Sequence, residues 1–398
     1  MKTISVDSIG ALDKEQEAGW LDRLARRAVL GRLAALRQGE ITIIEDGKEQ
    51  TFGQRTDEFP EPVVIKIHSP AFYSDIAFGG SVGSGEAYIQ GYWECSQLES
   101  LVKILLRNRG VLDELDSGTA LLKRPLQKLF HWMNRNTKRG SQRNIAAHYD
   151  LGNDFYSLWL DSQMMYSSAY FASQSTSLED ASVAKLDRIC RKLNLAESDE
   201  VVEIGTGWGG FAIHAATRYG CHVTTTTISE QQYEYARAKV EALGLTGKIT
   251  LLKNDYRDLE GKYDKLVSIE MIEAVGHEYL DTFFSKCASL LKPDGEMLLQ
   301  AITIADQRYE RARKTVDFIK RYVFPGGFLP SLTAMTNSLT RVTPLKTIAV
   351  EDIGPHYAFT LRRWRERFFE KLTEVRNQGF SEEFIRLWEF YLCYCEGA

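Results

Sequence analysis

The sequence predicts an α/β protein: a Rossmann-like doubly wound sheet with a smaller N-terminal α+β domain. Three observations predict it. From about residue 148 onward, apolar strand-like segments alternate with helical ones. The apolar run Val201, Val202, Glu203, Ile204 leads into a glycine-rich turn and then into a helix at Phe211. A mixed strand and helix region precedes both, and 398 residues exceed the usual size of one domain.

The elements follow in order. Residues from about 12 to 38 read as a basic amphipathic helix, with Trp20, Leu21, Leu24, Val29, Leu33 and Leu36 interleaved with Arg23, Arg26, Arg27, Arg32 and Arg37. Such a helix suits an anionic bilayer, and equally a core-packing helix with a solvated basic face. ITIIED and PVVIKIHS read as strands, FGGSVGSGEAY as turns and a helix start, and SQLESLVKILLRNR as a helix. Together they make a small α+β accessory domain over 1–110. A connector over 111–147 holds Lys123, Arg124, Lys128, Arg135, Lys138, Arg139 and Arg143 around Phe130, Trp132 and Met133, a mixture that suits anionic headgroups or a solvated linker. The catalytic domain spans 148–398, with EVVEIG, CHVTTTTI, ITLLKND, KLVSIEM and EMLLQAITI as its strands.

The formal net charge of −5 does not indicate a nucleic-acid-binding surface. No apolar run is long enough to span a bilayer, and the first twenty residues lack an apolar signal core. The expectation is a cytoplasmic protein, peripheral on the inner membrane face. The six cysteines are scattered without a Cys-x-x-Cys pair, so no metal site is expected.

Gly205-x-Gly207-x-x-Gly210 also satisfies the dinucleotide spacing, so the turn alone leaves a nicotinamide enzyme open. Two features favour S-adenosylmethionine. Glu203, inside the strand, is placed to meet the amino acid part of that donor. The next strand ends in Thr227 with Gln232 nearby, without the acid that grips a ribose in dinucleotide folds. Asp255 followed by Tyr256 ends a third strand, where an acid can bond the adenine amino group and an aromatic ring can cover it.

The segments HYDLGNDFYSLWLD, MMYSSAYF, VVEIGTGWGGFA, TTISEQQ, NDYRDL, SIEMIEAVG, DFIKRYVFPGG and GPHYAFTLRRW agree in order and spacing with one family. The sequence resembles the cyclopropane-fatty-acyl-phospholipid synthases, which include the mycolic acid cyclopropane synthases. The resemblance covers about residue 70 onward, most firmly 144–398. It implies transfer of a methylene or methyl group to unsaturated phospholipid acyl chains, and donor contacts at Tyr166, Ser167, Gly205, Thr227, Gln232 and Tyr256. It also implies an N-terminal lipid-engaging domain and allows a homodimer. The family's C-terminus continues past CEGA with a last strand, so the chain is expected to be shortened or engineered at its end.

Family members that hold bicarbonate do so with residues that correspond to Ser168, Glu273, Gln300, Ile302 and Tyr357. Here Ser168 replaces their Cys and Gln300 their His, while Glu270 stands where they have a small residue. The chemistry needs a water-poor pocket, an aromatic face for a carbocation and a base for one proton. Tyr166, Tyr170, Phe171, Tyr322, Phe324 and Tyr357 are the aromatic candidates. Glu270 is the expected base, oriented by Glu273 if the chain turns helically there, with Tyr357 and Gln300 as donors to it; bicarbonate is then not required. His148 and His356 read as structural. A cyclopropane product, a methylene or methyl branch, and a non-catalytic donor-sensing lipid binder all remain open at this level.

Overall fold

The computed structural model describes residues 19–111 and 151–398. His148, the basic connector beyond Val111 and the start of the N-terminal helix lie outside the described residues. The rest falls into two compact units. One contains 19–111 together with 381–398, and the other contains 151–380. The last helix therefore belongs with the N-terminal unit, a departure from the boundary at 398 that the sequence suggests.

In the first unit, helix α1 (Trp20–Leu33) precedes a mixed sheet in the order β2-β1-β3-β4. β1 (Gly39–Glu45) pairs antiparallel with β2 (Lys48–Gln54) and parallel with β3 (Val63–Ile67), which pairs antiparallel with β4 (Trp93–Cys95). The polar strand β2 exposes every residue but Phe52, which is why apolar patterning misses it. The glycine-rich stretch read as turns instead lies inside helix α2 (Ala71–Ile89), kinked at Gly80. Gly83 packs so closely on the Asp75 carbonyl that a Cβ would sit 2.0 Å from its oxygen. Small residues there permit a close backbone approach, not a loop. Helix α3 (Leu98–Arg107) follows, and the closing helix Glu382–Gly397 packs on α2 and α3. Tyr88 donates to Glu389 at 2.7 Å, and its ring lies 5.7 Å from Phe390.

The second unit is built on five parallel strands in the order β7-β6-β5-β8-β9. They are β5 (Glu200–Ile204), β6 (His222–Thr226), β7 (Ile249–Leu252), β8 (Tyr263–Ile269) and β9 (Leu291–Gln300). Apolar clusters cover both faces. α4 (Leu178–Lys192), α5 (Gly210–Tyr219) and α6 (Glu230–Ala242) contribute Leu186, Phe211 and Val240 to one. α7 (Leu280–Leu290) contributes Phe283 and Phe284 to the other. Strand order reverses between β5 and β8, so a crevice forms beyond their carboxyl ends, where ligands bind in such sheets.

Candidate functional site

Each of the five parallel strands delivers a candidate residue at or beyond its carboxyl end: Gly205 after β5, Thr227 after β6, Asp255 after β7, Glu270 after β8 and Gln300 at the end of β9. The turn after β5 depends on glycine. Gly205, Gly207 and Gly209 have φ of +102°, +53° and +88°, and the Gly205 and Thr206 amides both donate to the Thr226 carbonyl. Among the described residues, a Cβ at Gly207 would meet nothing within 4 Å, whereas one at Gly205 would lie 3.1 Å from Met271 Cγ.

Glu203 is buried in β5 and accepts from Thr225 Oγ1 at 2.7 Å. Burial pushes its carboxyl up to about 8. Thr227 donates to Gln232 Oε1 at 2.9 Å, so these two polar substitutes for a ribose-binding acid form one unit. Asp255 is held by Arg257 through Nε at 2.7 Å and Nη2 at 2.6 Å. An adenine amine would share this carboxylate with the arginine, a neighbour sequence reasoning did not weigh. Tyr256 packs edge-on against Phe283 at 5.6 Å.

Glu270 has φ +48°, a left-handed conformation rare outside glycine, between β8 and a short 3-10 turn, Ile272–Ala274. The chain thus does not run helically from Glu270 to Glu273 as expected. Glu270 Oε1 instead accepts from the Ser168 amide at 2.9 Å and from Gln300 Nε2 at 2.8 Å, while its own amide donates to the Gln300 carbonyl at 2.8 Å. Gln300 also donates to the Ser168 carbonyl at 3.2 Å. Ser168 therefore acts through its backbone; its hydroxyl donates to the Ala169 carbonyl at 3.1 Å.

Glu273 accepts from the Ile302 amide through Oε1, and among the described residues its other oxygen has no hydrogen-bond partner. Solvent reaches part of both glutamates, yet protein crowds both carboxyls. Burial, together with the Glu270 charge, raises Glu273 to about 8; burial raises Glu270 too, against the opposing pull of Lys185. Lys185 escaped the sequence reading. Its signal was present: it falls on the buried stripe of α4 between Ala181, Ser182, Leu186 and Ile189.

The aromatic residues sort into two groups. Tyr166 lies 5.2 Å from Trp364, 6.3 Å from Phe324 and 5.4 Å from Tyr156, and Tyr357 lies 6.4 Å from Trp364. Trp208 extends the cluster, 5.2 Å from Tyr156. Tyr170 stands apart, with Arg188 4.6 Å over its ring and His356 at 4.2 Å, so a guanidinium already occupies one face. Phe171 packs on Phe359 and Tyr322 on Phe318. His356 accepts from the Phe171 amide at 3.2 Å, which fits its structural reading.

The profile of the mycolic acid cyclopropane synthetase family matches residues 136–398, about two thirds of the chain. The chain belongs to that family. Among curated relatives, it is 38% identical to the tuberculostearic acid methyltransferase UfaA1 of Mycobacterium tuberculosis, with 85% of this chain and 81% of that protein aligned. It is 36% identical to the cyclopropane-fatty-acyl-phospholipid synthase of Escherichia coli, over 85% of this chain and 84% of that one. Among solved structures, the mycolic acid cyclopropane synthase CmaA1 complexed with SAH and CTAB superposes with a TM-score of 0.59 at 30% identity, covering 64% of this chain and 91% of that chain. This member of the cyclopropane synthetase family is an S-adenosylmethionine-dependent methyltransferase.

Raised carboxyl pKa values imply a pH-dependent stability. A carboxyl that ionises at about 8 when folded and near 4.5 when unfolded contributes its stability fully below 4.5, and loses it as pH rises toward 8. The ligand-free protein is therefore expected to melt progressively lower from pH 5 to pH 8. Glu203→Gln should flatten that slope; calorimetric scans that keep the wild-type slope in the variant would contradict the burial argument.

Proposed function

We propose that the protein transfers a methylene group from S-adenosylmethionine to the double bond of unsaturated phospholipid acyl chains, forming cyclopropane fatty acids, with Glu270 as the base. The observation that carries this reading is the Glu270 carboxylate, fixed by the Ser168 amide and the Gln300 side chain at the switch point of the sheet. The glycine turn fits the donor: Gly207 faces open space, and the buried acid Glu203 stands behind the turn. In this reading Tyr166, Ser167, Glu203, Gly205, Gly207, Thr227, Gln232, Asp255 and Tyr256 hold the donor.

S-adenosylmethionine supplies an electrophilic methyl carbon. The alkene π electrons form a bond to that carbon, and the C–S electron pair leaves with sulfur. A carbocation remains on the acyl chain, beside the aromatic faces of Tyr166, Phe324 and Tyr357, which attract a cation without trapping it. Glu270 takes a proton from the transferred methyl group, and the C–H electron pair closes the ring. The Ser168 amide and the Gln300 side chain orient the base, and Glu273 stands beside it as a second acid. If a hydride first shifts from the methyl-bearing carbon to the cationic carbon, loss of a proton from the transferred methyl group gives a methylene branch instead. The 38% identity to a tuberculostearic acid methyltransferase favours this second reading, and hydrogen NMR of the product lipids separates the two.

Bicarbonate has no role in the proposed mechanism. The Ile302 amide already serves Glu273, and the Gln300 side chain serves Glu270. Membrane attachment would come through the first unit. Trp20, Leu21 and Leu24 are 68%, 43% and 59% exposed, Arg23 and Arg27 are exposed beside them, and Ala25, Val29, Leu30 and Leu33 fasten the other face of α1. This arrangement suits peripheral attachment to an anionic, inner-leaflet surface.

Three tests follow from this mechanism. Gly205→Ala adds a Cβ against Met271 at a positive φ, and should weaken S-adenosylhomocysteine binding at least about tenfold in a folded protein. Unchanged calorimetric affinity would remove the turn from the donor site. Glu270→Gln should still bind donor and lipid but lose about two to four orders of magnitude in rate, read as the 14-unit mass gain of oleoyl lipid on adding CH2, with equal wild-type turnover with and without bicarbonate. An active variant, or strong bicarbonate stimulation, would transfer the role of base to a bound anion. On anionic vesicles, binding should fall with salt and with Trp20→Ala; salt-independent binding would refute the electrostatic attachment.

A further inference from the structure

Lys185 is only 2% exposed, on the stripe of α4 that otherwise holds Leu178, Ala181, Ser182, Leu186 and Ile189. A leucine would satisfy that stripe, so packing alone does not account for an ammonium there. Lys185 Nζ donates to Ser167 Oγ at 2.6 Å. The next residue, Ser168, donates its amide to Glu270 Oε1 at 2.9 Å. Lysine and glutamate thus grip two consecutive residues of one segment.

The charges around them come from separate elements. Lys185 faces Glu270 beyond β8, Asp161 on the segment before Ser167, and Glu203 in β5, with Glu270 exerting the largest field. Asp161 is itself held by the Met165 amide at 2.7 Å, and Glu203 by Thr225. Glu270 faces Lys185 as the cation and Glu273 as a second acid. Burial acts against the charged form of every member, lowering Lys185 to about 8 and raising the acids.

We infer that Lys185 is a positioning residue for proton removal: its buried ammonium anchors Ser167 and, through the adjoining Ser168 amide, seats the Glu270 carboxylate and keeps it ionised. This inference rests on the reading of Glu270 as the base. Lys185 itself acts through Glu270 and Ser167. The device resolves a conflict in the site. A base near a carbocation must avoid water, yet a carboxyl away from water and beside Glu273 tends to stay protonated; one buried cation counters both effects.

The test is the pH profile of Lys185→Gln, which keeps a polar contact to Ser167 and removes the charge. Without the ammonium, the carboxyl of Glu270 ionises at higher pH. The acidic limb of kcat should therefore move upward by about one pH unit, costing about tenfold in rate on the limb and recovering on the alkaline plateau. A uniform loss at every pH, or an unmoved limb, overturns the inference. Glu270→Gln run in parallel separates the two claims: if it remains active, the base reading fails, and if it is inactive while the Lys185→Gln limb stays put, only the present inference fails. Should Lys185→Gln not fold, linkage supplies the measurement. The side-chain 15N resonance of Lys185, assigned from Lys185→Arg, should titrate at lower pH in Glu270→Gln than in the wild type. Identical titrations would overturn the inference.

Discussion

Charge removed from water must be compensated inside the protein, and this constraint shapes the whole catalytic unit. Glu203, Glu270, Glu273 and Asp161 are crowded by protein with one buried ammonium, Lys185, facing three of them. Backbone amides supply much of the remainder: Ser168 to Glu270, Ile302 to Glu273 and Met165 to Asp161. Parallel strands make this possible because their carboxyl ends deliver residues distant in sequence to one edge. Glu270 and Gln300 stand thirty positions apart but meet where β8 and β9 finish side by side.

Under the proposed reading of Glu270 as the base, the same arrangement would let a serine and a glutamine stand where the bicarbonate-holding enzymes that the sequence resembles have a cysteine and a histidine. A loose anion needs donors on several sides. A carboxylate tethered through its own backbone needs fewer, and it arrives without an association step. The left-handed kink at Glu270 is the structural cost of that tether, since a residue with a Cβ is held in a region normally left to glycine.

Much of this could be read in the residues. β-branched and apolar runs such as Val201, Val202 and Ile204 announced the parallel strands, because both sheet faces are covered and alternation is lost. The acids inside β5 and after β8 were visible too, because a charge in or beside a buried strand has no packing role. β2 was not legible, since a strand exposed along nearly its whole length carries no apolar code. Neither was the role of Ser168, because a backbone amide is common to all residues but proline and leaves no trace in side-chain identity. Lys185 was legible in principle, as a polar break in an apolar stripe, but its partners sit on three other elements and only the fold brings them together. The helical geometry expected between Glu270 and Glu273 failed for a local reason: positive φ at Glu270 interrupts the turn before it begins.

The closing helix adds a consequence of another kind. Because Glu382–Gly397 packs with α2 and α3, the catalytic sheet is an insertion between two pieces of a single folding unit. A ribosome releases Tyr88 long before Phe390 exists to cover it, and by then all five parallel strands have emerged. The sheet can assemble on its own schedule, whereas the accessory unit must wait, with one side of the Tyr88 ring uncovered, for the helix Glu382–Gly397. The accessory unit is thus completed only on polypeptides that already carry the parallel sheet, so a translation product interrupted before Glu382 would leave that unit without the helix that packs on α2 and α3.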